Sequence, residues 1–247
     1  MNSENNKNIL TIKKTVHRAN TRGYADHGWL KTYHTFSFAD YYDNSRIRFG
    51  LLRVLNDDIV EPGMGFGTHP HDNMEIVTIP LSGALEHRDS TGGGGIINAG
   101  DVQVMSAGSG LTHSEFNPSS TEPVNLLQIW VFPKLKDVKP RYDQRTFDVK
   151  ERENKIQNLV SPDKNNGSLW LNQNTYFSMA KMNKDKELTY NINSKGNGLY
   201  IFVIEGKIKI DGEELNKRDG LGLENLESAA VKAADDSEIL FIEVPMK

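Results

Sequence analysis

At 247 residues, with 37% hydrophobic and 25% charged side chains, the chain has ordinary globular composition and room for one large domain or two modest ones. A formal net charge of −4, with basic residues scattered along the chain, excludes the electrostatic footprint that neutralises nucleic-acid phosphates. The absence of cysteine excludes disulfides, a thiolate nucleophile and cysteine-ligated zinc, so any metal chemistry must use histidine and carboxylates. The opening MNSENNKNILTIKKT lacks the apolar core of a secretory signal, and no later apolar run approaches membrane-spanning length. A soluble, cytoplasmic protein without a direct nucleic-acid or membrane partner is expected.

Short apolar runs between Gly, Asn, Asp and Pro punctuation predict strands over residues 75–81, 84–87, 95–97, 102–105 and 125–132. Strands of this length and spacing indicate a sandwich or a barrel. Gly92 to Gly95 reads as a hairpin turn, because no Lys-Ser/Thr pair follows as in a phosphate loop. From Lys134 to Gly167 the chain turns dense in charge and turn residues, the pattern of an interdomain connection. Strand signals resume at 168–171, 176–182, 188–192, 199–205, 207–210 and 238–244, which predicts a second β-domain. Both halves contain a strand ending in a small-residue turn, at Leu81 to Gly83 and at Glu205 to Leu215. A second turn follows in each, AGD at Ala99 to Asp101 and RDG at Arg218 to Gly220, which suggests a degenerate internal duplication. All seven histidines precede residue 114, so the second unit cannot build a histidine site and is expected to be structural.

GTHPHDNMEI places His69 and His71 two apart at the head of a strand, and GLTHSEFN places His113 and Glu115 at the same spacing. Strand side chains alternate, so each pair leaves one face, and two such pairs on neighbouring strands can converge on one cation in the first half. A single H-x-H is a common accident among ordinary polar turn residues; the second alternate-residue pair argues against coincidence. Three imidazoles and a carboxylate suit Fe, Mn, Co, Ni, Cu or Zn, and spacing does not choose among them. A six-coordinate ion would keep two positions for substrate and O2 or water, whereas tetrahedral zinc would close the site.

HPHDNMEIVTIPLSG (His69 to Gly83) resembles the first cupin motif, and AGDVQVMSAGSGLTHSEFN (Ala99 to Asn117) resembles the second. With LQIWV (Leu127 to Val131) and PRYDQRTF (Pro140 to Phe147), the pattern is similar to the pirin family, nearest its bacterial members with quercetin 2,3-dioxygenase activity. The resemblance implies an all-β bicupin: two cupin barrels of the double-stranded β-helix, or jelly-roll, type. Residues 1–140 would form the metal-binding N-terminal cupin and residues 141–247 a degenerate C-terminal cupin without a histidine site. It also implies one divalent transition metal, first of all Fe(II), on His69, His71, His113 and Glu115, and a monomer that takes a small aromatic substrate and O2. In that chemistry a flavonol such as quercetin is cleaved with release of carbon monoxide, and Glu115 is the base that removes the 3-hydroxyl proton. The alternative that the family also implies is a non-enzymatic, metal- or redox-dependent regulator that binds a protein partner.

Other residues carry weaker signals. Glu75, four positions after His71, is expected on the same strand face as a group that orients a ligand imidazole. His34, among aromatics, reads as packing, and His87, beside Glu86, Arg88 and Asp89, reads as a solvated rim. Met105, Phe116 and Trp130 could wall a pocket for an aromatic substrate, but core packing is the favoured reading.

Overall fold

The computed structural model describes residues 11–247; the first ten residues of the polar opening segment lie outside it. In chain order the first half contains β1 (Lys13–His17), β2 (Gly23–Asp26), β3 (Leu30–His34), β4 (Leu52–Val60), β5 (Gly65–His71), β6 (Glu75–Ser82), β7 (Ala84–Asp89), β8 (Gly94–Asn98), β9 (Asp101–Ser106), β10 (Leu111–Phe116), β11 (Val124–Val131) and β12 (Arg141–Thr146). The second contains β13 (Gln157–Ser161), β14 (Leu169–Trp170), β15 (Tyr176–Met182), β16 (Glu187–Asn191), β17 (Asn197–Glu205), β18 (Lys207–Ile210), β19 (Glu213–Asn216), β20 (Gly220–Glu224), β21 (Ser228–Ala233) and β22 (Ser237–Pro245).

Alternation along the longest strands decides how these elements layer. On β17, Tyr200, Phe202 and Ile204 face one apolar cluster while Leu199, Ile201 and Val203 face another. On β11, Leu127, Ile129 and Val131 join the same first cluster, which is therefore the seam between two seven-stranded sheets. These sheets run β12-β9-β6-β11-β4-β3-β2 and β1-β20-β17-β22-β15-β13-β14. Behind each lies a four-stranded sheet, β5-β10-β7-β8 in the first half and β16-β21-β18-β19 in the second. The result is a stack of four sheets with the two large ones at the centre.

The expectation of two closed cupin barrels is corrected here. A barrel needs its first and last strands paired. Each of the four sheets instead ends on two separate edges, such as β5 and β8 or β16 and β19, and none closes on itself. Each half is a large and a small sheet packed through their side chains, so that its core lies between sheets rather than inside a continuous ladder.

The duplication is plain in strand order, since β9-β6-β11-β4 in the first half corresponds to β20-β17-β22-β15 in the second. The turns correspond too. Gly83 and Gly206 both take a positive φ where the chain passes from the large sheet to the small one, and Asp101 and Asp219 each accept a hydrogen bond from the backbone three residues earlier, at Asn98 and Asn216. The segment 134–167, expected as a connection, contains β12 and β13. β12 pairs with β9 from Arg141 opposite Ser106 to Thr146 opposite Asp101, and its side chains stay largely uncovered at the sheet edge. An edge strand of this kind needs no apolar alternation, which is why charge hid it.

The two inner spaces differ in what fills them. In the second half one continuous cluster, including Tyr190, Ile208, Ile210, Leu215, Val231, Ile239 and Phe241, occupies the gap between its sheets. In the first half the apolar filling is split between a cluster around Leu30, Val60, Leu85 and Leu126 and a smaller one around Ile76, Met105 and Leu111. Polar side chains occupy the space between them.

Candidate metal centre

His69 and His71 close β5, and His113 sits in the middle of β10, the neighbouring antiparallel strand. The register puts His113 opposite His69 and Leu111 opposite His71, so the three imidazoles meet across one ladder. Ring centroids lie 4.4 Å apart for His69 and His113, 4.8 Å for His71 and His113, and 4.9 Å for His69 and His71. The β5–β10 register then slips by one residue and sets Glu115 opposite Phe66, while β10 pairs without a break along β7 and places Glu115 opposite His87. Two groups result that could each hold a metal ion, His69/His71/His113 and His87/His113/Glu115, with His113 common to both.

The donor atoms suit a cation. The Gly67 carbonyl accepts from His69 Nδ1 at 2.8 Å, which leaves Nε2 of that ring as a free lone pair. His113 Nε2 and Glu115 Oε1 are buried without any hydrogen-bond partner. Orphaned donor atoms of this kind cost stability unless something binds them. Burial pushes the His71 pKa from 6.5 down to about 4 and lowers that of His113 still further, with the neighbouring imidazoles adding to the shift. Both rings are therefore neutral at physiological pH, the state a metal requires of an imidazole.

Glu115 has the opposite problem. Complete burial raises its carboxyl from 4.5 to about 7, and nearby Asp58 pushes the same way, against the Gln128 amide that favours the anion. Gln128 Nε2 donates to Glu115 Oε2 at 2.9 Å, and Thr78 Oγ1 donates to Gln128 Oε1 at 2.9 Å. Thr78 and Gln128 occupy inner-face positions of β6 and β11 whose neighbours Val77, Ile79, Leu127 and Ile129 point into the seam. Nothing in the local sequence distinguishes them from core positions.

The remaining expectations divide. Glu75 is not on the strand of His71: it opens β6, in the large sheet, and accepts from Ser106 Oγ at 2.6 Å and from the Asn172 backbone at 3.3 Å. The chain reverses at residues 72–74, so the four-residue spacing does not mean a shared face. His87 is not a solvated rim but wholly buried, with Tyr142 stacked on it at 4.7 Å. Its signal was period two from Leu85, the buried residue on the same face of β7. His34 packs as expected, buried with its Nδ1 2.9 Å from Asn56 Oδ1. Met105 is core, Phe116 is partly exposed, and Trp130 stands edge-on to His71 at 4.9 Å. An open cleft of about 750 Å³, lined by His71, Asp72, Ser90, Ser109, Leu111 and Thr112, reaches His71 from solvent. No helix among the described residues is long and apolar enough to cross a membrane.

A large and a small sheet repeated twice, with donor atoms gathered, among the described residues, in the first repeat, define an all-β protein of the bicupin type. Residues 15–131 match the family model described as Pirin, and residues 158–244 match that of the quercetinase C-terminal cupin domain. The chain is 43% identical over 230 residues to quercetin 2,3-dioxygenase of Escherichia coli strain K12, covering 93% of this chain and 98% of that protein. It is 37% identical over 222 residues to a pirin-like protein of Caulobacter vibrioides, covering 90% and 95%. The crystal structure of the bacterial pirin YhhW from Escherichia coli in complex with nickel(II) superposes with a TM-score of 0.89 at 42% identity, covering 94% and 99% of the two chains. The chain belongs to the pirin family.

Proposed function

We propose that this chain is a metal-dependent dioxygenase that cleaves flavonols such as quercetin with O2 and releases carbon monoxide. The observation that carries the proposal is the pair of linked triads, His69/His71/His113 and His87/His113/Glu115, that share His113, with His71 of the first on the wall of an open cleft. The names of the relatives, quercetin 2,3-dioxygenase and nickel(II)-bound pirin, support the substrate class and the divalent metal.

His69, His71, His113 and Glu115 hold the ion, Fe(II) or another divalent transition metal. When bound, it supplies a Lewis acid that acidifies and orients the flavonol 3-hydroxyl and a centre at which O2 can react. The cleft beside His71, within the volume range of small-molecule sites, admits the aromatic substrate, and the Trp130 edge fixes the plane of the His71 ring. Glu115 takes the 3-hydroxyl proton. Gln128 holds one of its oxygens so that the other, buried and without a partner, stays free for the ion and the proton. The chemistry belongs to the N-terminal unit; the C-terminal unit, filled with apolar side chains, supports it.

The test is aerobic incubation of metal-loaded protein with quercetin, following flavonol bleaching, O2 uptake and carbon monoxide. Glu115→Gln is expected to retain metal while turnover falls roughly 10²–10⁴-fold, and His113→Ala is expected to lose both. Flavonol and O2 left unconsumed by fully metal-loaded protein would remove the dioxygenase reading.

A further inference from the structure

Two residues of the small sheet, neither among the four proposed ligands, form a chain of hydrogen bonds that ends on His113. His87 and Asp89 stand two apart on β7, on the inner face marked by Leu85, and both side chains are wholly shielded from solvent. His87 Nε2 lies 3.2 Å from Asp89 Oδ2, and His87 Nδ1 lies 3.4 Å from His113 Nδ1. The carboxylate is itself held in place: Asp89 Oδ1 accepts from the Thr91 and Gly93 backbone N–H groups at 2.7 and 3.1 Å and from Thr91 Oγ1 at 2.6 Å.

Donor and acceptor rules leave one consistent assignment of protons. A carboxylate only accepts, so the proton between Asp89 and His87 belongs to His87 Nε2. A proton on His113 Nε2 would be a buried donor with no acceptor in reach, so it is His87 Nδ1 that is bare and accepts. The proton between the two Nδ1 atoms then belongs to His113. A neutral His113 with its proton on Nδ1 has a bare Nε2, which is the buried atom found without a partner. The Gly67 carbonyl does the same for His69 with a single bond.

We propose that Asp89 and His87 are positioning residues that lock His113 in the Nδ1–H tautomer, so that its Nε2 lone pair is permanently presented to a divalent metal. Neither touches substrate. The inference rests on the proposed role of His113 as a ligand, but the proton pattern itself exists without any metal.

Long-range ¹H–¹⁵N NMR of the metal-free full chain reads that pattern directly. The wild type is expected to carry its ring protons on His113 Nδ1 and His87 Nε2; a proton on His113 Nε2 would overturn the proposal with no variant needed. In Asp89→Asn the oxygen retained by Thr91 and Gly93 leaves the new amide nitrogen facing His87, which reverses each donor in turn. The His113 proton is then expected on Nε2, and Co(II) affinity, measured by competition with a chromogenic chelator, is expected to fall roughly 10–100-fold. An unchanged proton pattern together with Co(II) affinity within about twofold of wild type overturns the proposal. A wild-type chain that has the expected pattern yet binds no Co(II) supports the hydrogen-bond chain and refutes the metal role of His113, so the two failures are distinct.

Discussion

His17 shows how far a single buried ring can depart from its ordinary behaviour. It sits on β1, one edge of the second large sheet, with its Nδ1 2.8 Å from the Tyr200 hydroxyl. Burial, helped by Arg46, lowers its pKa from 6.5 to about 4. Between those values the unfolded chain binds a proton that the native ring refuses, so stability is complete above pH 6.5 and falls as pH drops toward 4. Between pH 7.5 and pH 5 the loss from this one group is about 2 kcal/mol. Urea denaturation of metal-free wild type and His17→Gln at the two pH values is expected to show a steeper fall for the wild type by that amount; equal slopes would mean that the ring titrates normally. Legibility at this scale followed chemistry. His69, His71, His113 and Glu115 stood out because two alternate-residue pairs of potential ligands recur in one half of the chain, whereas Gln128 and Thr78, which hold Glu115, looked like any polar interruption of a strand. His87 went unrecognised because charged neighbours on the outer face of β7 outweighed its own inward position.

At the scale of elements, the site depends on how closely β5 lies against β10. Gly65 pairs with Phe116, and a Cβ there would collide with the Glu115 carbonyl oxygen and the Phe116 Cα, both part of the β10 backbone. Gly67, two residues along the same strand, has nothing within 4 Å of the same position. Gly65→Ala is therefore expected to lose roughly 1–3 kcal/mol of stability as the ladder is forced apart, and to weaken Co(II) binding with it. Gly67→Ala is expected to stay within about 0.5 kcal/mol of wild type. Chemical denaturation and chelator competition on both variants check this, and equal effects would refute the claim that strand contact, not glycine flexibility, matters at β5. The strands from β6 to β9 and from β17 to β18 were legible because each carries apolar residues between turn residues. β1, β2 and β12 were not, because edge strands cover little apolar surface and leave no period-two pattern; β3 does alternate in burial, but polar Thr32 and His34 at its inward positions hid it. Sheet closure was beyond what spacing encodes, since open and closed stacks of short strands share the same alternation.

For the molecule as a whole, the seam between the two large sheets couples the halves. Its cluster draws Leu55, Val77, Val104, Leu127 and Ile129 from one sheet and Phe177, Tyr200, Phe202, Leu240 and Ile242 from the other, all fully or nearly fully buried. Separating the halves would expose this entire surface at roughly 25 cal/mol per Å², so neither half is expected to melt alone. β1 strengthens the tie: it lies ahead of the first half in sequence but pairs along β20, and Ala19 and Arg18 just after it bind Asp219. A ligand held only by residues between 69 and 115 should then stabilise the entire chain, including the histidine-free second half. At a free Co(II) concentration about one hundred times its Kd, linkage adds ~2.7 kcal/mol, which for a chain of this length raises Tm by roughly 5–10 °C. Calorimetry is expected to show one transition that moves as a unit. Two transitions, with only the first moving on metal addition, would mean that the seam is too weak to couple the halves and that the second sheet pair is an independent domain.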